Sequence, residues 1–160
     1  SNIKMLISAQ DHKRIFDGDK GPNTGGMGAY SPAPVMTDDR LNTVYSKILK
    51  PAVDGMKKEG IPFKGVLYAG VMVSGNEINV LEFNARFGDP ETQVILPLLE
   101  GKFGDIIEAA IEGKLDKINL SFNKKHAISV VMASGGYPGE YTKGKRINIY
   151  EKVKGKLGKQ

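Results

Sequence analysis

Leu81-Glu82-Phe83-Asn84-Ala85-Arg86 is the stretch on which the reading of this 160-residue chain turns. On a β-strand successive side chains face opposite ways, so Glu82 and Asn84 project together while Leu81 and Phe83 are expected to face the core. A carboxylate and an amide oxygen two residues apart on one face are two hard ligands at nearly constant separation. That pair suits Mg²⁺, which takes few protein carboxylates when phosphates and water supply the rest. Arg86 continues the alternation and is expected to set a permanent cation beside the metal. A guanidinium there can hold phosphate oxygens or stabilise charge in phosphoryl transfer. The hexapeptide also fits a plain amphipathic strand with a polar outer face, and alone it does not separate the two.

The segments around it extend both readings. Upstream, Gly65 to Val73 is rich in β-formers and Ser74-Gly75-Asn76 carries turn chemistry, so a hairpin with Glu77 to Phe83 is predicted. Downstream, Phe87-Gly88-Asp89-Pro90-Glu91-Thr92 is ordinary turn chemistry before a helix start. Its position beside the metal strand gives Asp89 and Glu91 a second reading, as carboxylates that hold an amine substrate or take its proton.

Further upstream, Asp17 to Pro34 contains five glycines and three prolines with almost no periodicity. A long irregular stretch inside a compact chain is more often functional than a mere connector. Gly25, Gly26 and Gly28 let the backbone approach a ligand and present N–H groups to it. The motif lacks the Gly-Lys-Ser/Thr of a phosphate-binding P-loop and the strand–helix frame of a dinucleotide fingerprint. Asp17-Gly-Asp19 lacks the later ligands of a calcium loop, and a surface Ω-loop is the bland alternative. His12-Lys13-Arg14, at the end of an expected strand over Ile3 to Ala9, suits either phosphates or a solvated edge.

Thr37 is predicted to cap a helix with Asp38 and Asp39 in its first turn. Its apolar residues run from Leu41 to Met56, with Pro51 expected to kink or divide it and Lys57, Lys58 and Gly60 to close it. Helices are predicted over Thr92 to Glu100 and Phe103 to Lys114, the second with Ile106, Ile107, Ala110 and Ile111 on one face. His126 to Ala133 is expected to be a buried strand ended by Gly135 to Gly139, and Arg146 to Tyr150 one more strand. His126 opens its strand and has the character of a structural residue. Strands and helices mixed in this order define an α+β layered fold.

Composition narrows the chemistry. The chain has no cysteine and two histidines, which excludes disulfides, thiolate zinc sites, cysteine nucleophiles and histidine-rich metal centres. The net charge of +5 and pI near 9.3 suit a polyanionic partner. However, Lys143, Lys145, Arg146, Lys152, Lys154, Lys156 and Lys159 crowd the last eighteen residues, the pattern of a solvated tail. Few aromatics accompany them, so single-strand base stacking has little to work with. The apolar runs are far short of the ~20 residues a bilayer span needs. Neither nucleic acid nor membrane is expected as a partner, and a cytoplasmic location is.

Three segments in order carry a resemblance: Gln10-Asp-His-Lys-Arg14, Gly21-Pro-Asn-Thr-Gly-Gly-Met-Gly-Ala-Tyr-Ser-Pro32, and Glu82-Phe-Asn-Ala-Arg-Phe-Gly-Asp-Pro-Glu-Thr-Gln93. With Val130 to Gly139 they resemble the phosphoribosylamine–glycine ligase (glycinamide ribonucleotide synthetase) family over nearly the whole chain. The resemblance implies a partial ATP-grasp domain, an antiparallel sheet with packed helices, over residues 1–123. The start of a small β-rich carboxy-terminal domain is expected over 124–160. It implies ATP and Mg²⁺ or Mn²⁺ as cofactors, and activation of glycine as an acyl phosphate attacked by phosphoribosylamine in purine synthesis.

Glu82 and Asn84 would then ligate the metal, and Arg86 and Asp89 would be catalytic. Asn23, Thr24, Gly25, Gly26, Met27, Gly28, Ser31, Asp89, Pro90 and Glu91 would line the pocket for glycine and phosphoribosylamine. His12, Lys13, Arg14 and Lys20 would lie beside the nucleotide phosphates. The preceding strand, Leu67 to Met72, offers no acidic ligand, so coordination is expected to rely on phosphate oxygens and water. The adenine-binding part and the amino-terminal portion of the same enzyme are expected as partners outside this chain. The 160 residues alone are therefore expected to be inactive and to bind ATP weakly or not at all. A related reading is another purine-pathway ATP-grasp enzyme using formate or bicarbonate, and one from a different class is a non-catalytic phosphate or nucleic-acid binding module.

Overall fold

The computed structural model describes residues 2–148. Four small antiparallel sheets and a few helices make up an α+β arrangement. The central sheet has three strands in the order β1 (Gln10–Asp11), β4 (Gly28–Ser31) and β9 (Ala127–Val130), with Asp11 opposite Ala29 and Gly28 opposite Val130. Gly28 permits this approach: a Cβ there would lie 2.5 Å from the Ser129 carbonyl oxygen. Between β1 and β4, β2 (Arg14–Phe16) and β3 (Lys20–Asn23) form a separate hairpin. The expected irregular stretch from Asp17 to Pro34 thus contains two strands. Its glycines hid them, since glycine supplies no side-chain periodicity.

Thr37 caps α1 (Asp38–Val44) by accepting from the Arg40 N–H. The helix does not run on regularly. Pro51 has no N–H for the Lys47 carbonyl, and the turn before it widens into a π segment, Tyr45–Leu49, in which Lys50 donates to the Tyr45 carbonyl. α2 (Lys50–Lys58) follows, and Gly60 ends it at φ +82°. Pro51 divides the helix, as expected.

The predicted hairpin consists of β5 (Tyr68–Ser74) and β6 (Glu77–Asn84). It begins at Tyr68 rather than at the expected Gly65, which sits at φ +124°. Leu81 is an extra residue on β6: Gly70 pairs with Glu82 and Val71 with Val80, a bulge that leaves Leu81 without a partner. Leu81 and Phe83 are 64% and 44% exposed, so the expected core-facing side of β6 is open. No layer of the described residues covers that face.

α3 (Thr92–Ile95) packs on β4 and β9 and passes through a 3₁₀ turn, Leu96–Leu98, into β7 (Leu99–Glu100), which pairs with β8 (Ser121–Phe122). The helix expected to reach Glu100 stops at Ile95, because Pro97 cannot continue it. α4 (Phe103–Glu112) ends on Gly113 in the left-handed region. Ile106, Ile107, Ala110 and Ile111 share the face turned to one cavity, as expected, though Ile111 is exposed; Ala109 is buried beside them. Ala29, Ala33, Val94 and Leu98 are all buried, and the core lies around β4 and α3. β9 is a strand but not a buried one: Ile128 is 77% exposed and Val130 74%. It pairs on one side only, and its outward face has no cover among the described residues. His126 is exposed before it. Arg146 to Asn148 is not a strand, and the rest of that expected strand lies outside the described residues. No helix among the described residues is long and apolar enough to cross a membrane.

Candidate active site

β6 holds Glu82 opposite Gly70 and Asn84 opposite Tyr68. Gly70 leaves room for the glutamate, since a Cβ there would stand 3.2 Å from Glu82 Cγ. Being two residues apart beyond the bulge, Glu82 and Asn84 keep to one face. Arg86 does not continue that alternation. The strand ends at Asn84, and the exposed Arg86 guanidinium donates to the Phe87 carbonyl at 2.9 Å.

Lys13, from the chain just after β1, joins this face to the central sheet. Its Nζ lies 3.9 Å from Glu82 Oε1 and 3.8 Å from Asp11 Oδ2. Asp11 is the residue that sequence reasoning missed. Its side chain is only 9% exposed, and its Oδ1 is buried with no hydrogen-bond partner. Burial raises its carboxyl above the ordinary range, the nearby Glu91 charge adds to this, and Lys13 partly offsets it.

Glu91 is buried in the segment leading into α3, and Tyr68 on β5 donates its hydroxyl to Glu91 Oε1 at 2.8 Å. Burial and then this bond push the Tyr68 hydroxyl well above its usual range. Gly88 makes space for the carboxylate: a Cβ there would meet Glu91 Oε2 at 2.4 Å. Tyr68 was missed as well. The register of a hairpin closed at Ser74 and Glu77 carries it opposite Asn84, which is the signal available in the sequence.

The glycine motif packs against Asp11 and Pro90. Gly26, at φ +134°, lies where a Cβ would stand 2.4 Å from Pro90 Cδ and 3.0 Å from Asp11 Oδ1. Thr24 holds the bend, its hydroxyl donating to the Lys13 carbonyl at 2.8 Å and accepting from the Gly26 N–H at 3.0 Å. The Gly25 N–H donates to the Tyr137 hydroxyl at 3.2 Å, so the Gly135 to Gly139 turn reaches back to this loop. Met27 and Gly28 are committed to backbone bonds with His12 and Val131.

The remaining expected residues divide: His12, Arg14 and Asn23 lie on the wall of one large cavity with Lys13, and Ser31, Asp89 and Lys20 do not. Ser31 is buried with its hydroxyl donating to the Ser8 carbonyl. Asp89 is exposed and accepts from Gln93 Nε2 at 2.7 Å. His12 stacks at a tilt on Tyr30, Arg14 donates to the Gly21 carbonyl, and Asn23 and Lys20 are exposed on the β2–β3 hairpin. Asp11, Lys13, Tyr68, Glu82, Arg86 and Glu91 share the wall of a cavity of about 1510 Å³. Asp11, Glu82 and Glu91 thus line one large cavity with the Lys13 ammonium, beside a strand that presents two oxygen donors. Among the described residues no three acidic or histidine side chains converge as a closed metal cage. The donor set suits a cation whose shell is completed by phosphate and water.

A strand-borne oxygen pair backed by a lysine, in an α+β fold, has the chemistry to suit a metal–phosphate ligand. Residues 1–92 match the family model described as phosphoribosylglycinamide synthetase, ATP-grasp (A) domain, and the chain belongs to that family. It is 54% identical over 153 residues to a phosphoribosylamine–glycine ligase of Caldanaerobacter subterraneus subsp. tengcongensis, covering 96% of this chain and 37% of the relative. It is 53% identical over 146 residues to the human trifunctional purine biosynthetic protein adenosine-3, covering 91% and 14%. The crystal structure of a phosphoribosylamine–glycine ligase from Thermotoga maritima superposes with a TM-score of 0.74 at 37% identity, over 91% of this chain and 36% of that one. The chain thus spans little more than a third, at most, of these relatives' length.

Proposed function

We propose that this chain is the metal- and acceptor-side face of an ATP-dependent ligase. The reaction joins glycine to 5-phosphoribosylamine through a glycyl phosphate, yielding glycinamide ribonucleotide, ADP and phosphate. The observation that carries the proposal is the arrangement of Glu82 and Asn84 on one face of β6 with Lys13 bridging to the Asp11–Glu91 pair. The names of the relatives support the particular substrates.

Glu82 and Asn84 hold Mg²⁺ or Mn²⁺, which when bound neutralises phosphate charge. His12, Lys13, Arg14 and Lys20 face the ATP phosphates. Lys13 balances Glu82 when the phosphates are away and turns to them when they arrive. Arg86 exchanges its Phe87 carbonyl for a phosphoryl oxygen, a charge-assisted bond stronger than the neutral one it replaces. The Gly25–Gly28 wall and Pro90 exclude water from the acyl phosphate, and Asp89, freed from Gln93, takes a proton from the attacking amine. Residues 1–123 are assigned to the ATP-grasp unit and 124–160 to the start of the next domain, attached where β9 pairs with β4. The enzyme is assigned to the cytoplasm, and the complementary half of its nucleotide site comes from outside this chain.

The test is ADP release by the full-length ligase with glycine, formate or bicarbonate as the acid and phosphoribosylamine as the amine. Glycine alone is expected to support turnover. Turnover on formate or bicarbonate instead sinks the assignment.

A further inference from the structure

We propose that Tyr137 is a positioning residue whose hydroxyl pins the Gly25–Gly28 loop, so that the acceptor-side substrates meet a loop already ordered. This rests on the ligase reading above, in which that loop borders the acyl phosphate. The Val130 to Gly139 motif takes no part in the chemistry assigned to Glu82, Arg86 and Asp89, yet it tracks the glycine motif along its length. β9 sets Ala127 opposite Ser31 and Val130 opposite Gly28. The Val131 N–H then donates to the Met27 carbonyl at 2.9 Å, and the Tyr137 hydroxyl accepts from the Gly25 N–H at 3.2 Å. The two segments thus run antiparallel from Ser31 to Gly25, and Tyr137 makes the last contact.

The turn that carries Tyr137 is built to aim it. The Tyr137 N–H donates to the Ser134 carbonyl at 3.2 Å, and the Gly139 N–H donates to the Gly136 carbonyl at 2.9 Å. Gly136 sits at φ +102°, where a Cβ would stand 2.4 Å from the Glu140 carbonyl oxygen, so the turn closes tightly on itself. The half-buried Tyr137 ring meets Tyr141 edge to face, with centroids 5.5 Å apart. Backbone and ring together restrict where the hydroxyl points.

The loop needs such a pin. Gly25 and Gly26 are consecutive, and glycine loses more conformational freedom on ordering than any other residue. Gly26 is buried against Pro90, and its N–H goes to the Thr24 hydroxyl. Gly25 is exposed, and its N–H goes to Tyr137. Thr24 acts from within the loop. Among the described residues, Tyr137 is the one side chain from elsewhere in the fold that bonds the backbone of residues 24–28. Without the hydroxyl, the cost of ordering the loop falls on substrate binding. Once substrate is bound the loop has the same geometry, so the loss belongs in KM and not in kcat.

The experiment uses the full-length ligase, with circular dichroism to confirm folding. Tyr137→Phe keeps the ring against Tyr141 and removes the hydroxyl. It is expected to raise KM for glycine, for phosphoribosylamine or for both by roughly 3- to 10-fold, while kcat and KM for ATP stay within about twofold. Tyr141→Phe makes the same deletion on the neighbouring ring, whose hydroxyl does not bond the loop, and is expected to keep wild-type constants. Unchanged KM values for both acceptor-side substrates in Tyr137→Phe overturn the pin. So do a loss confined to kcat, a matching rise in KM for ATP, or an equal effect of Tyr141→Phe. Each of these leaves the ligase reading intact. Wild-type enzyme that forms no ADP in response to glycine overturns the ligase reading and the pin with it.

Discussion

Replacing Tyr68 by Phe removes one oxygen and leaves the ring in place. The lost oxygen is the donor to Glu91 Oε1 at 2.8 Å, and Glu91 is buried, so water does not readily replace it. A hydrogen bond to a charged group is worth about 1.5–3 kcal/mol, and an acceptor left unsatisfied in the interior costs a similar amount. Tyr68→Phe should therefore lower the unfolding free energy by about 2 kcal/mol. With an m-value of about 1–3 kcal/mol/M, the urea midpoint falls by roughly 1 M.

Glu91→Gln in a double-mutant cycle isolates the pair, and a coupling of about 1 kcal/mol or more is expected. The pH dependence has a definite sign. The folded-state pKa of Tyr68 is raised, so its contribution is complete below the ordinary tyrosine value of 10 and fades as pH rises above it. The advantage of wild type over Tyr68→Phe should accordingly shrink in strong alkali. A loss under about 0.5 kcal/mol, or additive single effects, would refute the claim that Tyr68 holds Glu91 in place.

Gly26→Ala places a Cβ 2.4 Å from Pro90 Cδ at φ +134°, so overpacking and backbone strain add; urea denaturation should show a loss of about 2 kcal/mol or more. Asp11→Asn should stabilise the chain at pH 7, because the raised carboxyl favours folding only while protonated. That stability is complete below 3.8 and lost as pH rises through the folded value, so the gain from Asn should vanish in acid, as thermal melts at pH 3 and pH 7 would reveal.

The parts of this site legible in the sequence are those governed by local rules. Period-two alternation put Glu82 and Asn84 on one face, the turn residues placed the β5–β6 hairpin, and Thr37 and Pro51 set the start and the division of the helix. Each depends on neighbours within a few positions. Long-range pairing decided the rest. Asp11 joins this wall only because β1 lies against β4, which sets it against Gly26, fifteen positions away, and within electrostatic reach of Glu91, eighty away. Hydrophobicity also misled. Leu81, Phe83, Ile128 and Val130 have core composition but stand exposed, since apolar content alone does not specify which layer covers a strand. Arg86 failed to follow the alternation because the strand ended two residues earlier.

Glu82 on β6 is proposed above as a metal ligand of an ATP-dependent ligase. Steady-state ADP formation by full-length Glu82→Gln, measured across a Mg²⁺ titration beside a circular dichroism check of folding, tests it most directly. Turnover below about one hundredth of wild type is predicted, with a partial recovery only at high Mg²⁺. Normal turnover with an unchanged Mg²⁺ requirement would contradict the account.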